Sequence, residues 1–208
     1  MNAPLLAGVP RLTVDDAAAL ARQFWGLDAQ VRALASERDQ NFMLTAAEGR
    51  RYVLKVANSS VDRALLDAEH LVMWRASATG VCPDVVADAD GRVVVQHGEH
   101  YIRLITALDG QTLGSTPFVS GALRRDIGRA VGALDRALEG LDHPSFHRNF
   151  HWDLAQALDV VEAHASLIAD DALRAQVLQC AAYHRTHVAP RLADFRREYL
   201  GFVFQSFH

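Results

Sequence analysis

The chain has 208 residues, 50% of them hydrophobic and 22% charged, with a formal net charge of -4. This suits one large domain or two small ones around a substantial core, and it excludes the basic field that nucleic acid or an anionic membrane surface requires. No run is long and apolar enough to cross a bilayer, and the opening stretch MNAPLLAGVP lacks the charged and apolar parts of a secretion signal.

In chain order, Thr13 followed by Asp15 and Asp16 starts a helix that Gly26 ends. AQVRALAS reads as a strand, RDQN as a polar break and FMLTA as a second strand. AEGRR forms a hairpin turn before the third strand, YVLKVAN. SSVDRALLDAEHLVMWRASATG is a helix, capped by a serine and closed by Gly80. DVVAD, a turn at Asp90-Gly91, RVVVQ, a turn at Gly98 and HYIRLITAL complete the strand-rich part. Beyond Pro117 the apolar spacing is helical throughout, over 118–140, 152–169 and 172–200. The class is therefore α+β, with a strand-rich lobe over 1–109 and a helical one over 110–208. Cys82 and Cys180 fit no zinc or redox spacing and read as two buried thiols of a reduced, cytoplasmic protein.

Lys55 is the only lysine in the chain, against 20 arginines, and it lies in an apolar strand. On the helix that follows, Glu69 has Leu65, Leu66, Val72 and Met73 as its helical neighbours, so it points into the packed face. Asp67 sits beside Arg63 and His70 and reads as solvated. A buried carboxylate needs a partner, and Lys55 on the preceding strand is the candidate. The plainer alternative is a lysine that snorkels from a strand edge and a glutamate at a helix margin.

The order strand, polar loop, strand, turn, strand with lysine, helix with glutamate, hairpin and linker to helices resembles the smaller lobe of protein kinases. SERDQNFMLTAAEGRRYVLKVAN, HYIRLITALDGQTL and LDHPSFHRNFHWDL together resemble the aminoglycoside phosphotransferase superfamily, and within it the hydroxylysine kinase-like proteins. The resemblance implies a protein kinase-like two-lobe fold: an antiparallel-sheet N-lobe with one helix, then a helical C-lobe that is incomplete here. It implies phosphate transfer from ATP or GTP to the hydroxyl of a hydroxylysine-like amino acid or amino-alcohol. Lys55 is then expected to bind the α- and β-phosphates and Glu69 to orient it. Ser36, Asp39, Gln40 and Asn41 lie on the loop above the phosphates, and the segment Leu104 to Leu108, centred on Thr106 and Ala107, borders the purine. That loop contains no glycine, unlike the glycine-rich loop of protein kinases.

The family's H-G-D-x-x-x-x-N motif, which carries the catalytic aspartate and a magnesium ligand, is absent from the 208 residues. HWDLAQAL begins with His151 and Asp153 at the right spacing, but Leu158 stands where the asparagine belongs, and Asp153 reads instead as a local helix cap. His143, His147 and His151 recur every four residues without a converging carboxylate or thiolate, and Pro144 breaks the helix there, so no metal site is expected. No catalytic residue is assigned, magnesium lacks its ligands, and the chain is expected to be a truncated, inactive form. The competing reading is a non-catalytic nucleotide- or partner-binding remnant, with exposed apolar helix faces suited to an oligomer or a partner.

Overall fold

The structure is a computed structural model that describes residues 8–148 and 153–195. Helix α1 (Val14–Trp25) begins with a capping box: the Asp16 N–H donates to the Thr13 hydroxyl, and the Thr13 N–H donates to the Asp16 carboxylate. It ends at Gly26 in the left-handed conformation, φ 60°, where a side chain would be strained. Six antiparallel strands follow: β1 (Ala29–Leu34), β2 (Gln40–Ala46), β3 (Arg51–Val56), β4 (Val85–Val86), β5 (Val95–His97) and β6 (His100–Thr106). Their order is β1-β2-β3-β6-β4, with β5 also paired to β6, so the last strand in sequence lies in the middle of the sheet.

Alternation sorts the side chains onto two faces. Phe42, Leu44, Leu54, Val56, Ile102 and Leu104 share one face and pack with Ala17, Leu20 and Ala21 of α1 into the main core. The opposite face carries Asn41, Lys55 and Arg103. Helix α2 (Arg63–Ala76) connects β3 to β4 and buries Leu66, Val72 and Met73.

Several boundaries differ from the sequence reading for local reasons. The cap of α2 is Asp62, whose carboxylate accepts the Ala64 N–H, and not a serine. Ser60 is instead drawn to Asn58, which accepts both its N–H and its hydroxyl. The helix ends at Ala76, and a 3-10 turn, Ser77–Thr79, leads to Gly80. β5 starts at Val95 because Arg92 is held in the preceding turn, where the Asp88 carboxylate accepts both its N–H and its Nε–H.

Helix α3 (Gly121–Ala137) is capped by Ser120. At its far end the Arg75 guanidinium, reaching from α2, donates to the carbonyls of Ala137 and Glu139. By contact the chain forms two compact units that divide between Leu141 and Asp142, and α3 belongs to the first. In the second, the helix expected over 152–169 is a 3-10 turn (Leu154–Gln156), α4 (Ala157–His164) and a further 3-10 turn (Ala165–Leu167). The last expected helix is α5 (Asp171–Tyr183), a π turn (His184–Val188) and α6 (Ala189–Phe195). Pro190 accounts for the irregularity, because it cannot donate to the carbonyl four residues back. Cys82 is buried, and burial followed by the Asp84 charge pushes its thiol up to about 11. Cys180 lies on the exposed side of α5, contrary to the expectation of two buried thiols. Among the described residues no helix is long and apolar enough to cross a membrane.

Leu54 is fully buried between α1 and the central strands. Leu54→Ala is expected to destabilise the protein by about 2–5 kcal/mol, measured as a fall in the urea midpoint at unchanged slope.

Candidate functional site

Strand register sets a polar row across the face opposite the core. Lys55 on β3 lies directly between Asn41 on β2 and Arg103 on β6, as cross-strand partners of both. All three side chains are buried. Met43 and Val53, on the same face, are only half-buried and leave the sheet surface open beside the row.

Helix α2 brings Glu69 over this row. Its carboxylate accepts from Arg103 Nη2 at 2.6 Å, with 4% of the arginine and 16% of the glutamate side chain exposed. The carboxylate does face the row, as the apolar neighbours of Glu69 implied, but its close ion pair is with Arg103, which the sequence reading did not single out. Asp67 is solvated and pairs with Arg63 across one helical turn. Burial holds the Lys55 ammonium below its ordinary 10.5, and the Arg103 charge lowers it further; Glu69 and Asp39 act in the opposite direction. Burial, then Arg103, also lowers the neighbouring His70.

The loop residues singled out from sequence divide into braces and a lining group. The Ser36 hydroxyl donates to the Leu34 carbonyl and accepts from both nitrogens of Asn41. The Asp39 carboxylate accepts the Asn58 N–H and so ties the loop to the end of β3. Gln40 grips Leu12 at both its N–H and its carbonyl, at 2.8 and 2.7 Å. Asn41 alone of the four joins the row, and its Oδ1 is buried without a hydrogen-bond partner. At the other end of the face, the N–H of Thr106 donates to the Asp84 carbonyl and that of Ala107 to the Arg51 carbonyl. Both amides are thus used within the fold, and the next one along is that of Leu108.

Asp153 caps the 3-10 turn after it, accepting the Ala155 N–H at 2.9 Å. His143 accepts the Ser145 N–H, and His147 pairs with Asp142. His151, like residues 149–152 generally, lies outside the described residues. Among the described residues no group of His, Cys, Asp and Glu is arranged to hold a metal.

A family model described as "Phosphotransferase enzyme family" matches residues 30–204. The chain belongs to that phosphotransferase family. It is 28% identical over 210 residues to a hydroxylysine kinase of Mus musculus, covering 90% of this chain and 55% of the relative. It is 25% identical to a hydroxylysine kinase of Danio rerio, covering 90% and 57%. The chain thus spans about half the length of the curated relatives it matches. Among solved structures it resembles an amicoumacin kinase in complex with AMP-PNP, Ca2+ and Ami (TM-score 0.58, 18% identity, 77% of this chain and 52% of that one). It also resembles a spectinomycin phosphotransferase in complex with ADP and its antibiotic (TM-score 0.59, 11% identity, 85% and 56%). At those identities the likeness establishes the fold, which is protein kinase-like, as the order of elements suggested. This family member has its sole lysine on the third strand and a half-buried glutamate, Glu69, on the next helix.

Two outcomes follow from the row. Glu69→Leu strips the buried Arg103 of its carboxylate and is expected to cost about 3–5 kcal/mol of stability, whereas Asp67→Ala, in an exposed pair, costs less than about 0.5 kcal/mol; urea denaturation of both variants checks the contrast. The lowered Lys55 means that the unfolded chain holds that proton more tightly than the folded one. Stability relative to Lys55→Met should therefore rise as pH climbs through the lowered value towards 10.5, with the full penalty present below it. Paired denaturation curves at several values between neutral and alkaline pH measure that difference.

Proposed function

We propose that the chain is the nucleotide-holding part of an ATP-dependent small-molecule phosphotransferase whose acceptor is the hydroxyl of hydroxylysine or a related amino acid or amino-alcohol. The observation that carries this reading is the burial of the sole lysine, Lys55, in a buried polar row of the sheet that Glu69 faces. A compact ammonium on a long stem can lie against non-bridging phosphate oxygens and neutralise their charge. Glu69, held by Arg103, keeps a negative charge near Lys55 and so limits where the ammonium settles. The half-buried Met43 and Val53 give an apolar floor on which a base can lie, with the end of β6 at Thr106 to Leu108 at its edge. The likeness to hydroxylysine kinases supports hydroxylysine as the first acceptor to test. The adenine nucleotides in complex with the fold neighbours favour ATP over GTP. The cytoplasm, where that nucleotide is supplied, is the natural location.

In this reading the braced loop holds its shape without glycine. Ser36, Asp39 and Gln40 spend their side chains inside the fold, so the loop reaches phosphate through backbone N–H groups. Phosphoryl transfer in such enzymes rests on positioning and charge stabilisation, and these residues supply positioning.

A second reading, nucleotide or partner binding without turnover, is favoured by one observation: the 208 residues contain no H-G-D-x-x-x-x-N.

Calorimetric titration with ATP is expected to show binding to the 208-residue chain. Lys55→Arg keeps the charge but changes its shape, and should weaken that binding by about ten- to a hundredfold, or about 1.5–3 kcal/mol. Equal affinities would remove Lys55 from the site. In a coupled assay with ATP and hydroxylysine this chain is expected to show no turnover; turnover abolished by Asp153→Ala would instead make Asp153 catalytic.

A further inference from the structure

Arg103 has a nitrogen to spare. Its side chain is 4% exposed, and Nη2 is spent on Glu69. Nη1 is fully buried and has no hydrogen-bond partner. A buried charged donor without an acceptor is costly and uncommon, and calls for a reason. The local charges sharpen the point. Lys55 and Arg103 are cross-strand neighbours facing one way, and both draw on Glu69. The Asp39 carboxylate also acts on Lys55, and one of its oxygens accepts the Asn58 N–H. Two cations therefore stand side by side on one sheet face, and repulsion from Arg103 is among the causes that hold the lysine below its ordinary range.

Building on the nucleotide reading above, we infer that Arg103 is a second phosphate-contacting residue: its Nη1 amino group donates to a non-bridging oxygen of the nucleotide beside Lys55, while Nη2 stays on Glu69. The planar fork of arginine suits this division, since its terminal nitrogens present N–H groups in fixed directions and can serve two anions at once. A lysine at 103 could not hold both in a fixed geometry. The approach runs along the sheet over Met43 and Val53, which are only half-buried. Asn41 also has an unpartnered buried atom, Oδ1, but that atom is an acceptor and does not suit an anion, so it is no part of this contact. A guanidinium next to the ammonium makes the site select for phosphate charge: each added phosphate gains from two cations instead of one.

The test is calorimetric titration of the 208-residue chain with ATP, ADP and adenosine. It compares wild type, Arg103→Gln, Arg103→Lys, Glu69→Gln and the Glu69→Gln/Arg103→Gln double variant, with circular dichroism checking that each is folded. Arg103→Gln is expected to weaken ATP binding about tenfold or more while leaving adenosine unchanged, with ADP between them. The loss should persist when Glu69 is already Gln, because the contact is with phosphate and is not relayed through the glutamate. If Arg103→Gln does not fold, Arg103→Lys carries the test, with ATP weakened severalfold and adenosine unchanged. Unaltered ATP affinity in the folded variants overturns the inference. So does an equal loss for adenosine, or a loss that vanishes in the Glu69→Gln background, which would make Arg103 a positioning residue for Glu69. No ATP binding by wild type defeats the nucleotide reading itself, and this inference with it.

Discussion

A buried guanidinium is tolerable only if a carboxylate meets it, and much of this molecule is arranged around that requirement. Arg103 lies on the central strand β6, between Lys55 and the short strand β4. Glu69 meets it only because α2 crosses that face at the right height. The crossing is set by the buried stripe of Leu66, Val72 and Met73 and by the cap at Asp62. The pair thus makes the docking of α2 and the polarity of the sheet face one problem. An apolar residue at 103 would relieve the desolvation cost of both ions. It would also leave Glu69 with Lys55 as its only cation within the row, and would change the charge that a ligand on that face meets.

The second constraint is the economy of polar side chains around the β1–β2 loop. A loop with no glycine has few unusual backbone conformations open to it. Here its shape is held by side chains bonded back to the main chain: Ser36 within the loop, Asp39 to the end of β3, Gln40 to the segment before α1. These residues look like ligand contacts in a linear reading because they are polar and close together. Most of their hydrogen-bonding capacity is internal.

The strands, the inserted helix and the all-helical remainder were legible because apolar alternation and helical spacing are local signals. Glu69 was legible by its four apolar neighbours and Lys55 by being unique. Arg103 was not, since one arginine among 20 carries no compositional signal. Yet it is the only Asp, Glu, Lys or Arg in HYIRLITAL, an otherwise apolar run, and that isolation marks it as surely as it marked Lys55. Asp62 was missed as a cap because two serines precede it, and only the tertiary bond from Ser60 to Asn58 decides between them. The breaks in the later helices depend on Pro190 and on 3-10 turns whose energies differ little from regular helix.

The late entry of β6 into the middle of the sheet bears on how the chain is made. Ala17, Leu20 and Ala21 of α1 find their cover in Ile102 and Leu104, more than eighty residues downstream. At ribosomal rates of about 5–20 residues per second, α1 waits roughly 4 to 17 seconds after its own synthesis before that surface exists. Until then β3 also lacks its neighbour and presents an open hydrogen-bonding edge. The early part of the chain is therefore born as an amphipathic helix and an unfinished sheet, and its protection from aggregation falls to chaperones or to the speed with which the β4–β6 segment arrives.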